Sequence, residues 1–167
     1  HALAESYKEQ ANAQFATQHY GQARDLYTQG LSVVLSNNES SLTNILLCNP
    51  AACHLALADY HAAITDTRQV LEKDPTYMKA ALRLARAHTQ LGNWNKAMEA
   101  LDQCAVESKV LKDEKRKVQT LQVTYASCQG ALERHEFAHA KLAANTLLQT
   151  TKAPSVLLAA AEADLGL

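Results

Sequence analysis

The chain has 167 residues, of which 47% are hydrophobic and 20% are charged, as in ordinary globular proteins rather than disordered ones. Its formal net charge of −1 provides no general attraction for nucleic acid. The sequence contains no run of about 18 apolar residues that could cross a membrane. With only 5 glycines and 3 prolines, the chain favours long helices, and we predict an all-α protein that binds neither nucleic acid nor membranes.

A repeated pattern predicts where the helices lie. Four aromatic residues are each followed three positions later by alanine, and these marker alanines are 40, 34 and 43 residues apart: Tyr20 with Ala23, Tyr60 with Ala63, Trp94 with Ala97, and Phe137 with Ala140. This is the period of stacked helix pairs. Small residues 12 positions before each marker would let the two helices of a pair approach closely: Ala11, Ala51, Ala85 and Cys128. The predicted pairs are 3–17 with 20–36, 40–57 with 60–73, 76–91 with 94–107, and 110–134 with 137–150.

A ninth helix is predicted to begin near Pro154, because proline suits the first turn of a helix. It would end at Leu165 and Gly166, which are similar to the Leu91-Gly92 pair before Trp94. We therefore expect the sequence to stop inside a fifth repeat of a longer protein. Each repeat would contact only its neighbours, which predicts one array over residues 1–167, with repeats at about 4–37, 44–77, 78–109 and 121–151 and the start of a fifth at 154–167.

Three segments carry a family resemblance: YKEQANAQFATQHYGQARDLYTQGL, NPAACHLALADYHAAITDTRQVLEKDP and YMKAALRLARAHTQLGNWNKAMEAL. Over essentially its whole length the chain resembles tetratricopeptide-repeat (TPR) proteins. The resemblance implies a superhelix of antiparallel helix pairs, an α-solenoid of about four and a half repeats. The first helix of every pair would then line a concave groove.

Five polar residues occupy these predicted first helices in a common register. Lys8 and Asn12 are four residues apart and share a helix face, as do Lys79 and Arg83. Asn49 and Arg83 both lie 14 residues before a marker alanine. Cations and amide donors without an acidic residue suit a peptide that ends in carboxylates. The fourth repeat has Gln122 and Ala126 at the positions of Lys79 and Arg83, so the predicted site is confined to the first three repeats.

This set is similar to the dicarboxylate clamp of the Hop, immunophilin and J-domain co-chaperone families, and two segments also resemble Cns-type co-chaperones. Those families bind the C-terminal Glu-Glu-Val-Asp of heat-shock protein 70 and heat-shock protein 90. The resemblance implies that Lys8, Asn12 and Asn49 hold the terminal carboxylate, while Lys79 and Arg83 hold the last side chain and upstream peptide groups. Phe15 and Leu82 are candidates for apolar groove surface.

Two positions depart from the family pattern. Ala11 stands where glycine is usual, which is a small change, and Pro50 stands where arginine is usual. Within a helix, proline removes a backbone hydrogen bond and clashes with the preceding turn, at a cost of about 3 kcal/mol. We therefore expect a kink or a local break near Leu46, next to Asn49.

The segment His135-Glu136-Phe137-Ala138-His139 matches the H-E-x-x-H pattern of zinc proteases. That pattern binds zinc when one continuous helix places both histidines on one face. Here Phe137 is a repeat aromatic, so the segment is predicted to span the turn between two helices, and no metal or other cofactor is expected.

The remaining features favour a binding protein rather than an enzyme. The sequence contains no G-x-S-x-G pattern and no phosphate-binding loop. Four cysteines without C-x-x-C spacing indicate small core residues of a reducing compartment, in the cytoplasm or also in the nucleus: Cys48, Cys53, Cys104 and Cys128. The leading hypothesis is a co-chaperone module that captures chaperone tails. The alternative is a TPR scaffold for an unrelated protein partner.

Overall fold

A computed structural model of the chain describes residues 2–36 and 42–166. Within these ranges the chain forms nine helices and no strand: α1 (Ala2–Ala16), α2 (Tyr20–Ser36), α3 (Thr43–Ala56), α4 (Tyr60–Lys73), α5 (Met78–Gln90), α6 (Trp94–Asp102), α7 (Lys109–Glu133), α8 (Phe137–Leu148) and α9 (Pro154–Leu165). The predicted all-α class and the order of the helices are confirmed. None of the described helices is both long and apolar enough to cross a membrane.

The two helices of each pair are joined by the same turn. The residue five positions before each marker alanine has a positive φ: Gln18 at 65°, Ala58 at 60°, Gly92 at 76° and His135 at 58°. The N–H of the following residue donates to the carbonyl five residues back, at 2.8 to 2.9 Å: His19 to Gln14, Asp59 to His54, Asn93 to His88, and Glu136 to Ala131. A hydrogen bond of this kind ends a helix when the residue that follows the helix adopts a left-handed conformation. Gly166, after α9, is also left-handed at 66°, as expected from its similarity to Gly92.

Small side chains hold the pairs together. The four marker alanines and the four small residues 12 positions before them are all fully buried: Ala23, Ala63, Ala97 and Ala140, with Ala11, Ala51, Ala85 and Cys128. In the pairs α1–α2, α3–α4 and α7–α8 the two helices pack against each other, and they can approach closely because one helix presents no more than a methyl or thiol group at these points. Each of these three pairs is therefore fixed by the residues that define the sequence repeat.

The chain divides into two compact units. The first comprises residues 1–87 and 103–106, with α1 against α2, α2 against α3, and α3 against α4. One apolar cluster of this unit joins α1, α2 and α3 through Ala4, Ala11, Val34 and Leu46. The second comprises residues 88–102 and 107–167, in which α7 packs against α6, α8 and α9. All five predicted polar site residues belong to the first unit.

A predicted helix end and a predicted helix break are wrong, and the kink that was the alternative to the break stays a prediction. α6 ends at Asp102 and not near residue 107, because Cys104 turns inward, with 8% of its surface exposed, and Ser108 caps the next helix by accepting the Leu111 N–H at 3.1 Å. α3 has no break at Leu46. It runs without interruption through the buried Pro50, and the Leu46 N–H still donates to the Leu42 carbonyl at 2.9 Å. Because proline has no backbone N–H, Pro50 cannot donate to the Leu46 carbonyl four residues earlier.

Candidate functional site

A cavity of about 180 Å³ in the first unit collects residues from four helices. Its walls are formed by Asn12, Phe15, Tyr27, Asn49, Ala52 and Arg83. The structure thus brings together three of the five predicted polar residues, one from each of α1, α3 and α5. The described lining contains one cation and two amides but no carboxylate, so its polar side chains favour an anionic ligand.

Arg83 is held against α3. Its Nη1 donates to the Cys48 carbonyl oxygen at 2.8 Å and lies 2.8 Å from Cys48 Sγ. The same nitrogen lies 3.4 Å from Asn49 Oδ1. One end of the guanidinium is therefore fixed by the protein. An arginine side chain carries five N–H donors, so the other nitrogens are left to bind a ligand.

Asn12 is oriented from the neighbouring helix. The Tyr27 hydroxyl on α2 donates to Asn12 Oδ1 on α1 at 2.6 Å. Only 3% of the Tyr27 surface is exposed, whereas Asn12 is exposed to solvent. The amide oxygen of Asn12 therefore faces the core of the unit, and its NH₂ group remains for a ligand.

The two lysines lie outside the cavity wall, each one helical turn before a residue that lines it. Lys8 is half-buried, with 22% of its side chain exposed, and forms an ion pair with Glu5. Lys79 is exposed, and its charge is close enough to act on the Cys48 thiol. Both lysines can thus add positive charge at the rim of the cavity.

The two predicted apolar contacts are placed differently. Phe15 lines the cavity and packs edge-on against Tyr20, with ring centroids 5.1 Å apart. Leu82 is buried, with 8% exposed, and does not line the cavity. The structure therefore brings Phe15 to the site and leaves Leu82 in the core.

The thiols beneath the site are neutral core groups. All four cysteines are free and buried, as the sequence predicts. Burial raises the pKa of Cys53 to about 11, while the nearby charge of Arg83 opposes this effect. Burial also raises the pKa of Cys48, with Arg83 again acting in the opposite direction. Both thiols are therefore protonated at neutral pH and bring no negative charge near Arg83.

Tyr27 and Ala52 are the lining residues that the sequence analysis did not single out. Tyr27 lies four residues after the first marker alanine, a position occupied in the other pairs by Thr67, Leu101 and Ala144. All four residues at this position are buried, which is typical of core packing. The sequence feature that could have identified Tyr27 is its polar hydroxyl group, at a repeat position that is typical of the core.

The His135–His139 segment lies in the second unit. His135 occupies the left-handed turn, and α8 begins only at Phe137, so the predicted turn within the segment is confirmed. His139 Nδ1 lies 3.5 Å from Glu136 Oε2, and Glu136 also accepts hydrogen bonds from Arg134 at 3.0 and 3.2 Å. Among the described residues, no group of three histidine, cysteine or acidic side chains is placed to hold a metal ion.

Comparison with known proteins agrees with this architecture. Residues 54–105 match the tetratricopeptide repeat family model. The Hsp70/Hsp90 co-chaperone cns1 of Schizosaccharomyces pombe is 30% identical over 106 residues, which are 64% of this chain and 29% of that protein. The matched region thus spans less than a third of that relative. The expected similarity to Cns-type co-chaperones is confirmed.

Two solved structures are informative about the fold. The Hsp90 co-chaperone Cns1 from Saccharomyces cerevisiae aligns with a TM-score of 0.64 and 28% identity, over 88% of this chain and 49% of that chain. The first TPR of Spaghetti (RPAP3), bound to the HSP90 peptide SRMEEVD, aligns with a TM-score of 0.61, over 73% of this chain and 94% of that chain. At 22% identity, the second likeness shows the fold alone.

Proposed function

The chain carries tetratricopeptide repeats, and from that premise we propose that its first three helix pairs bind the C-terminal Glu-Glu-Val-Asp tail of heat-shock protein 70, heat-shock protein 90 or both. The observation that carries this proposal is the cavity of the first unit, where Asn12, Asn49 and Arg83 converge from three different helices. Lys8 and Lys79 add charge at its rim. Relatives named as Hsp70/Hsp90 co-chaperones support the choice of partner.

A C-terminal aspartate suits this cavity because it carries two carboxylates on one residue. Carboxylates only accept hydrogen bonds, whereas arginine and lysine side chains only donate them. Bonds between a cation and a carboxylate are about twice as strong as neutral ones. In the proposed complex, Lys8, Asn12 and Asn49 bind the terminal carboxylate, while Lys79 and Arg83 bind the side chain and the peptide groups before it. Phe15 contacts an apolar side chain of the tail.

The proposal is tested by calorimetric titration of the protein with a Glu-Glu-Val-Asp peptide and with the same peptide amidated at its C-terminus. We expect the free acid to bind at least tenfold more tightly, because the amide removes a charged acceptor worth roughly 1.5 to 3 kcal/mol. Equal affinity for both forms, or binding of neither, would contradict the proposed function. Retained binding by a variant with both Lys8→Ala and Lys79→Ala would be equally incompatible with it.

Glu5 competes with the ligand for Lys8. Since the two side chains already form an ion pair, a peptide carboxylate must displace Glu5 or share the ammonium group. Glu5→Gln should therefore raise peptide affinity up to about fivefold, which corresponds to the 0.2 to 1 kcal/mol typical of exposed ion pairs. Glu9→Gln on the same helix is the matched control and should leave the affinity unchanged. An unaltered affinity in Glu5→Gln would remove Lys8 from the proposed contacts.

The proposed role is that of a binding module in the cytoplasm, without catalysis of its own. If the tail peptide fails to bind, the module serves as a TPR scaffold for a partner of different chemistry. The two roles are separated by the same titration, because only the first requires a free C-terminal carboxylate.

A further inference from the structure

The hydroxyl of Tyr27 crosses from one helix to the next. At the equivalent position of the second pair, the Thr67 hydroxyl donates to Ala63 within its own helix at 2.7 Å. Tyr27 on α2 instead reaches α1, where its hydroxyl donates to Asn12 Oδ1 at 2.6 Å. The phenol is buried and the amide is exposed. This bond therefore ties a side chain of the site to the core of the first unit.

An asparagine amide has a donor end and an acceptor end of nearly the same shape. A carboxylate accepts hydrogen bonds and is repelled by the amide oxygen, so Asn12 helps to bind it in only one of its two orientations. The Tyr27 hydroxyl occupies the oxygen and leaves the two N–H bonds of Nδ2 for the ligand. The oxygen of Asn49 lies near a donor of the protein as well, Arg83 Nη1 at 3.4 Å.

We propose that Tyr27 is a positioning residue that fixes the Asn12 amide with its donor end toward the ligand, so that the site selects a chain end with a free carboxylate over an amidated one. This inference rests on the proposed function and adds a residue that sets its specificity. Tyr27 acts through Asn12 and does not itself contact the ligand.

The ionisation of Tyr27 is consistent with this role. Burial raises the pKa of the phenol, and an opposing hydrogen-bond contribution from Asn49 is smaller than the effect of burial. The hydroxyl is therefore protonated at neutral pH and available as a donor.

The test is Tyr27→Phe, which keeps the buried ring and removes only the hydroxyl. We expect the affinity for the free Glu-Glu-Val-Asp peptide to fall about fivefold to tenfold, as for loss of one neutral hydrogen bond, with no change for the amidated peptide. The ratio of the affinity for the free peptide to the affinity for the amidated peptide should therefore fall by the same factor. Tyr60→Phe, at the start of α4 and outside the cavity lining, is the matched control and should leave the ratio unchanged.

A double-mutant comparison separates positioning from a structural role. Once Asn12→Ala has removed the amide, adding Tyr27→Phe should change the affinity less than twofold, because the hydroxyl has no amide left to orient. An additive loss in the double variant, or an unchanged ratio in Tyr27→Phe, would overturn the proposal.

A measurement without peptide keeps this inference distinct from the proposed function. In the free protein, the side-chain ¹⁵N–¹H₂ resonances of Asn12 should shift in Tyr27→Phe and stay in place in Tyr60→Phe. Unchanged Asn12 resonances in Tyr27→Phe would refute the positioning role even if the peptide binds. If the unmodified protein does not bind the free peptide, the proposed function fails together with the specificity that depends on it.

Discussion

Replacing Arg83 with alanine should weaken binding of the Glu-Glu-Val-Asp peptide at least tenfold, the largest loss expected from any single change at the site. A hydrogen bond to a charged group contributes roughly 1.5 to 3 kcal/mol, which is one to two decades of affinity. Arg83 adds a second effect, because its Nη1 is fixed on the Cys48 carbonyl and faces Asn49. Its removal also loosens the orientation of Asn49. Titration calorimetry at two salt concentrations measures the loss.

Lysine should not restore binding at this position. The lysine ammonium is a compact charge, whereas the arginine guanidinium can hold the Cys48 carbonyl with one nitrogen and a carboxylate with the others. Arg83→Lys should therefore recover less than a third of the lost binding free energy. Arg68→Ala removes the same charge from α4 and is the matched control, with an expected change below twofold. Full recovery in Arg83→Lys would mean that only charge matters at residue 83.

The fold was predictable because the residues that recur in the repeat are the ones that a close helix pair requires. An aromatic at the start of the second helix, alanine three residues later and a small residue 12 positions earlier define a close helix pair, and all eight small residues are fully buried. The end of α6 was not predictable in the same way, because the sequence from Gln103 to Val106 has no proline or glycine to mark it. There the buried Cys104 and the capping Ser108 decide the structure.

The site was predictable as a set of residue types but not as a geometry. The common spacing placed Asn49 and Arg83 at equivalent points of successive helices, and the structure brings them to one cavity. Sequence spacing does not determine side-chain conformations, and three contacts depend on them. Arg83 donates to the Cys48 carbonyl on α3, Lys8 forms an ion pair with Glu5, and the Tyr27 hydroxyl donates to Asn12.

Pro50 shows how packing overrides a local preference. The sequence predicted a kink or break because proline removes one backbone hydrogen bond and crowds the preceding turn. In the structure α3 is continuous, and Leu46, Pro50 and Ala51 are all buried. Burial of an apolar side chain contributes about 1.5 to 3 kcal/mol, which is comparable to the cost of the proline. The core of the first unit can thus hold the helix together across this residue and keep Asn49 in the cavity wall.

That core makes Leu46→Ala the most destabilising change that we expect in the first unit. Leu46 is fully buried where α1, α2 and α3 meet, and its Cδ2 lies 3.2 Å from the point that a Cβ on Gly30 would occupy. Truncation leaves a cavity that close-packed helices cannot refill, so the free energy of unfolding should fall by about 2 to 5 kcal/mol. Urea titration followed by circular dichroism measures the loss.

Leu57→Ala is the matched control, because 46% of Leu57 is exposed and it lies just beyond the end of α3. Its expected effect is within about 0.5 kcal/mol. Since Asn12, Tyr27 and Asn49 are carried by the helices that Leu46 joins, binding and stability should be linked. Peptide at about 100 times its Kd should stabilise the folded Leu46→Ala variant by about 2.7 kcal/mol. If saturating peptide bound Leu46→Ala without stabilising it, the ligand would be binding the unfolded chain equally well, and a site that depends on these three helices would be excluded.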